Sequence, residues 1–319
     1  MKHVYPLKLS YVPKERIWAG DTLASRWGKR AEGGSLGETW ELSVRAEEMS
    51  LVQNGPLAGT PLGDLVATDP AILGKALPAE KFPLLVKLLD AGDTLSVQVH
   101  PDDDYAARIE NDRGKTEMWY IVEAQQGAEL ILGLVPGVSR EDFAVAVREG
   151  NFEHLLFRQP VRAGDCYFIP SGMPHAIGAG ILIAEIQQNC DLTYRLYDFD
   201  RRDAQGKLRE LHVDRALDVI RPFSQAEINA VRFSRTGGAV KKDLLADCEY
   251  FTVRERCVAG REEIPKGDRP RHWLCIEGRG EIRLGNEVYP LVRGDSYLLP
   301  VSLPPMTLCG ELRVLESEF

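Results

Sequence analysis

The sequence predicts a mainly β protein, built from two related β-domains with short helical insertions. Three observations carry the prediction. Short stretches alternate apolar and polar residues with the two-residue period of a strand, as in Leu95-Ser96-Val97-Gln98-Val99-His100. Turn signals such as Asn54-Gly55-Pro56 punctuate them. The chain also echoes itself: Gly294-Asp295-Ser296-Tyr297-Leu298-Leu299-Pro300 repeats Gly164-Asp165-Cys166-Tyr167-Phe168-Ile169-Pro170, and the Trp273 segment parallels Trp119-Tyr120-Ile121-Val122 in the same order. The expected division is 1–235, carrying the helical segments, and 236–319.

Composition sets the outer limits. The chain has 319 residues, 44% of them hydrophobic and 27% charged, which is ordinary for a globular protein. A net charge of -9 argues against a nucleic-acid partner, whose phosphates need neutralising. A small phosphorylated substrate needs only a few local cations and stays open. The six cysteines form no C-x-x-C pair, which argues against a thiolate metal site and predicts buried thiols in a reducing compartment. The N-terminus lacks the apolar run of a signal peptide, and no stretch approaches the ~20 apolar residues of a membrane span. A cytoplasmic protein with no membrane partner is expected.

In chain order, Thr39–Val44 alternates as a strand, and Thr60-Pro61 and Asp69-Pro70 read as helix starts for short helices over Leu62–Ala67 and Ala71–Leu73. Phe82–Leu89 is apolar and strand-like, with Lys87 either snorkelling to water or facing a cavity. Asp102 caps a helix through Arg108. Glu117–Val122 and Glu129–Leu134, on either side of Gln125-Gln126-Gly127, read as a hairpin. Ser139 caps an amphipathic helix that buries Phe143, Ala146 and Val147 and stops at Gly150, and a second short helix follows over Phe152–Phe157. Glu185 and Arg195 sit on consecutive, mostly apolar strands, as groups facing one cavity would. His154 and His212 read as ordinary structural or surface histidines.

The strand Leu95–His100 places Ser96, Gln98 and His100 on one face, with no solubilising charge among them. A pocket wall explains that face better than solvent does. Glu117 opens the next strand, and His175 follows the Pro170-Ser171-Gly172 stop. Two imidazoles, a carboxylate and an amide oxygen suit zinc or another divalent first-row ion, in an open, catalytic site rather than a structural one. The same residues also occur as satisfied core groups. The second copy has Arg271 where the first has Glu117 and no His after its Pro300, so it holds no metal ligands; His272 falls on the opposite strand face.

Gly164, Pro170, Gly172 and His175 resemble the second motif of the cupin superfamily, and Gln98-x-His100 with Glu117 resembles a stretched first motif. A fuller resemblance is to the type I phosphomannose isomerases, in their short bacterial form. It rests on Leu95–Asp102, Gly114–Trp119, Pro170–Ala176, Glu185–Asn189 and Asp191–Asp198. The resemblance implies two cupin-like β-barrel (jelly-roll) domains and one Zn2+ per chain, held by Gln98, His100, Glu117 and His175. It matches Arg195 to the active-site arginine, and Lys115 and Glu185 to polar pocket residues with catalytic roles. It implies a sugar-phosphate substrate and interconversion of mannose 6-phosphate and fructose 6-phosphate by proton transfer between C1 and C2 through an enediolate. Ser96, Lys87 and Arg201 are candidates for the phosphate. A cupin oxygenase using iron, and a non-catalytic sugar-binding cupin, are the competing readings.

Overall fold

A computed structural model describes residues 4–46, 48–203, 205–233 and 243–319. The chain is mainly β, with short helices between the strands. It forms two compact units. One comprises Met1–Pro13, Thr39–Lys87 and Thr236–Phe319; the other comprises Lys14–Glu38 and Leu88–Arg235. The boundary expected between 235 and 236 lies outside the described residues. The unit with the C-terminal strands also takes in two early segments, for which the sequence has no local signal. Leu7–Leu9 pairs antiparallel with Ser296–Leu299, Leu7 opposite Leu298, and the Ser296 hydroxyl donates to the Glu41 carbonyl at 2.7 Å.

The C-terminal unit holds an antiparallel sheet in the order Leu7–Leu9, Ser296–Leu299, Arg271–Leu284, Met306–Glu318, Thr252–Ile264, Leu244–Asp247. Trp273, Ile282, Tyr297, Leu308 and Val314 form its core.

The other unit packs two sheets face to face. The first runs in the order Leu156–Pro160, Glu129–Leu134, His175–Ile177, Val97–Val99, Tyr194–Tyr197. The second contains Arg232–Phe233, Cys166–Ile169, Glu117–Ala124 and Ile181–Gln188 in that order. Leu130, Leu132 and Ile177 from the first meet Trp119, Ile121, Tyr167 and Ile183 from the second in one core. The alternate residues of the first sheet, Val97, Val99, Ala176, Tyr194 and Leu196, pack instead against Phe143, Ala216, Leu217 and Ile220 of the helices outside it. The apolar face of Leu95–His100 is thus covered by helices, and its polar face looks into the space between the sheets. That inverts the usual polarity of a half-buried strand.

Several helix starts follow the sequence. Asp102 accepts from Tyr105 N at 2.8 Å and caps Asp103–Ile109. Ser139 accepts from Asp142 N at 3.0 Å and caps Arg140–Arg148, with Gly150 beyond its end at φ +71°. The helices at Leu62–Thr68 and Pro70–Leu73 also form, although only Asp69 caps through its side chain. Two expectations fail. Glu117–Ala124 and Glu129–Leu134 do not pair as a hairpin, because each belongs to a different sheet and has its partners there. Over 152–157 only the turn Glu153–Leu155 is helical; Leu156 begins a strand against Glu129–Leu134.

Candidate metal centre

Strand register builds the site. His175 lies opposite Gln98, and Gln98 lies opposite Arg195, across three neighbouring strands. Residues directly opposite in an antiparallel pair share a face, so all three side chains leave the sheet toward the same side. On the facing sheet, Glu117 lies opposite Gln187, and Trp119 opposite Glu185. His100 and Lys115 enter from the ends of their strands, and the loop before Lys115 is tied to the helix start by Gly114 N donating to Asp103 Oδ1 at 2.8 Å.

The side chains converge. Glu117 Oε1 lies 3.4 Å from His175 Nε2, and Glu117 Oε2 lies 3.7 Å from His100 Nε2 and 3.0 Å from Lys115 Nζ. Gln98 Nε2 lies 3.4 Å from His175 Nε2. One atom each from His100, Glu117 and His175 falls within 4.8 Å of the others, and all three residues are buried. Each imidazole is fixed by its other nitrogen: His100 Nδ1 meets the Leu192 carbonyl and His175 Nδ1 the Met173 carbonyl, both at 2.8 Å. A carbonyl can only accept, so each Nδ1 carries the proton and each Nε2 offers a lone pair inward. Rotating the Gln98 amide by half a turn would bring its oxygen toward the same point. The donor set fits a divalent cation, with second contacts that metal-ligating histidines need.

Two family models match the chain. The catalytic domain of type I phosphomannose isomerase covers residues 7–136, and the cupin domain of mannose-6-phosphate isomerase covers 241–318. Mannose-6-phosphate isomerase of Streptococcus mutans is 38% identical over 312 residues, 98% of each chain. The chain belongs to the type I phosphomannose isomerase family. A second relative, mannose-6-phosphate isomerase ManA of Bacillus subtilis, is 41% identical over 98% of each chain. The crystal structure of mannose 6-phosphate isomerase from Bacillus subtilis superposes with a TM-score of 0.89 at 34% identity, covering 98% of this chain and 99% of that one. A variant of phosphomannose isomerase from Salmonella typhimurium, 16% identical, has a TM-score of 0.79 over 98% of this chain and 99% of that one, a likeness in fold alone. The cupin-like fold expected from the motifs is therefore the fold of this family member.

Electrostatics separate the remaining site residues. Lys115 is buried, which alone would favour its neutral form, but Glu117, Glu185 and Asp191 overcome that and push its pKa up. It stays an ammonium. Burial, with Lys115 adding to it, lowers His175 to about 4. Glu185 is buried and its Oε2 accepts from Trp119 Nε1 at 3.0 Å; the Trp119 ring stands edge-on to His175, centroids 5.3 Å apart. Arg195 is half-buried; its guanidinium donates to the Glu210 carbonyl at 2.7 Å, and burial followed by nearby Arg209 lowers its pKa. Of the phosphate candidates, Ser96 is buried, Arg201 donates to the Thr94 carbonyl, and Lys87 does not snorkel: at 4% exposure its ammonium lies 5.1 Å above the Trp40 ring.

Trp119 and His212 escaped sequence reasoning. Trp119 lies two residues after Glu117, so the period-two rule already puts them on one face. His212 binds the backbone of Arg195 twice: its N donates to the Arg195 carbonyl at 2.7 Å, and its Nδ1 accepts from the Arg195 N at 3.2 Å. No local pattern announces that pairing, since 17 residues separate them. His154 is exposed, in line with a surface role. Cys166, Cys190 and Cys275 are buried, whereas Cys257 is exposed. Among the described residues no helix is long and apolar enough to cross a membrane.

Proposed function

We propose that this chain interconverts mannose 6-phosphate and fructose 6-phosphate, moving a proton between C1 and C2 through an enediolate, with one zinc ion held by Gln98, His100, Glu117 and His175. The observation that carries the reading is the buried His100–Glu117–His175 cluster, with both Nε2 atoms presented inward, in a member of this family. A bound ion there would supply Lewis acidity to the sugar oxygens.

The chain's own residues do the rest. Met173 and Leu192 hold the imidazoles in one tautomer. Lys115, kept charged by its carboxylate neighbours, offers a proton donor to the oxygens of the substrate. Arg195 supplies a planar cation for the oxyanion that develops during enolisation. Glu185, held by Trp119, carries the proton between the carbons. Ser96 and Arg201 remain the candidates for the phosphate. Buried thiols suit a cytoplasmic setting.

A coupled assay on mannose 6-phosphate tests this directly. Turnover should vanish on chelation, return with zinc, persist without oxygen, disappear in His100→Ala and survive in His154→Ala. A requirement for oxygen would establish the iron oxygenase instead, and zinc binding without turnover would leave a sugar-binding cupin.

A further inference from the structure

The C-terminal sheet repeats a detail of the metal-bearing unit with its chemistry changed. In the first copy Trp119 faces Glu185 and Glu117 faces Gln187. In the second, Trp273 faces Glu316 and Arg271 faces Glu318, with the same two-residue offsets. The indole–carboxylate bond is kept: Trp273 Nε1 donates to Glu316 Oε2 at 2.7 Å. What differs is the position of Glu117, which has become a cation, Arg271.

Arg271 is 4% exposed and lines a cavity of about 880 Å³ together with Arg256, Lys266, Gly267, Asp268 and Glu318. That volume is in the range of small-molecule sites. Its Nε has no hydrogen-bond partner among the described residues, and its ion pair to Glu316 is loose at 3.9 Å. Glu316 is engaged elsewhere, since Oε1 accepts from Arg256 at 2.6 Å and Oε2 from Trp273. The other amino group of Arg256 goes to Glu262 at 2.6 Å, which leaves the Arg256 Nε also without a partner. A buried guanidinium N–H left unpaired is costly. Gly267 packs close to the guanidinium: a Cβ there would lie 3.3 Å from Arg271 Nε and 3.4 Å from its Cζ. Burial, with Arg256 adding to it, lowers the pKa of Arg271 against the opposing pull of Glu316 and Glu318. Lys266 is exposed at the rim.

We propose that this cavity binds a small phosphate-bearing anion, whose oxygens accept from Arg271 and Arg256 while Lys266 closes over it. Planar guanidinium donors favour tetrahedral oxyanions. The lining shares no residue with the metal centre, and the proposal does not depend on the isomerase reading.

Calorimetry on the full chain tests it with two probes: inorganic phosphate, and a hexitol 6-phosphate that lacks a carbonyl and cannot be isomerised. For inorganic phosphate, binding at one site per chain is expected, at least tenfold weaker in Arg271→Met, severalfold weaker in Lys266→Glu and unchanged in Arg195→Ala, whereas the hexitol phosphate should titrate a further site, the metal centre, that Arg195→Ala weakens. Lys266 is exposed, so its variant folds and keeps the test valid if Arg271→Met does not. Equal affinity for the two probes identifies a phosphate-only site; tighter hexitol phosphate binding that Lys266→Glu weakens identifies a sugar-phosphate site. No binding, or binding lost in Arg195→Ala and untouched in Lys266→Glu, overturns the proposal.

Discussion

A histidine ligates a cation only through a nitrogen without a proton, and at this centre two backbone carbonyls select that nitrogen. The Leu192 and Met173 carbonyls each accept a hydrogen bond from Nδ1–H, so His100 and His175 meet Glu117 through Nε2. Arg195 contributes differently, from the same strand face as Gln98. Arg195→Ala should lower kcat by about two orders of magnitude, the usual effect of losing one oxyanion donor, while metal content measured by mass spectrometry stays near one per chain. Equal loss of metal would place Arg195 in the support of the ligands instead. His272 shows what burial alone does to the same residue type. It is fully buried, pairs with the Ser296 hydroxyl at 2.7 Å, and is lowered to about 3 by burial. Below the unfolded value of about 6.5 the unfolded chain takes up a proton that the folded chain refuses, so stability falls as pH drops from 6.5 toward 3. The slope is up to about 1.4 kcal/mol per pH unit. Urea midpoints between pH 6.5 and 4 should fall less steeply in His272→Gln than in the parent; parallel curves would show that His272 titrates normally.

At the scale of elements, the decisive feature is the inverted strand Leu95–His100. Its apolar residues face helices and its polar residues face the opposing sheet. Alternation made the two faces legible but not their destinations, since the helices that cover Val97 and Val99 come from residues 140–220. The turn at Gly114 is equally constrained. A Cβ there would sit 2.5 Å from the backbone of Asp102 and Asp103, so even alanine must displace the loop that delivers Lys115 and Glu117. Gly114→Ala should reduce both the thermal midpoint and zinc stoichiometry, read by calorimetry and metal analysis. An unchanged midpoint with full metal content would mean that the loop relaxes without cost. The failed hairpin teaches the complementary point: Gln125-Gln126-Gly127 turns the chain, as its residues require, yet the two strands it joins enter different sheets. Turn chemistry specifies a reversal and leaves the pairing to the strands' other neighbours.

Across the whole molecule, metal binding and folding should be coupled, because the proposed ligands come from both sheets of one core. A ligand that binds only the folded state stabilises it by about 2.7 kcal/mol at a hundred times its Kd. Zinc should therefore raise the thermal midpoint of the chelated protein by several degrees, and His154→Ala, altered on the exposed surface, should show the same rise. A midpoint indifferent to chelation and zinc return would mean that no metal sits between the sheets. The repeated register has the same logic: the second copy keeps its indole–carboxylate pair and has Arg271 at the position of Glu117.

The sequence by itself determined the strand faces and the main helix caps, because side-chain period, capping and turn chemistry are local, and it pointed to His100, Glu117 and His175, which the structure brings together. Only the tertiary structure decided that the polar face of Leu95–His100 looks inward, that Trp119 secures Glu185, and that His212 supports Arg195. Each of these depends on pairing between residues far apart in the chain, where the outcome is set by which surfaces bury together rather than by any stretch of sequence alone.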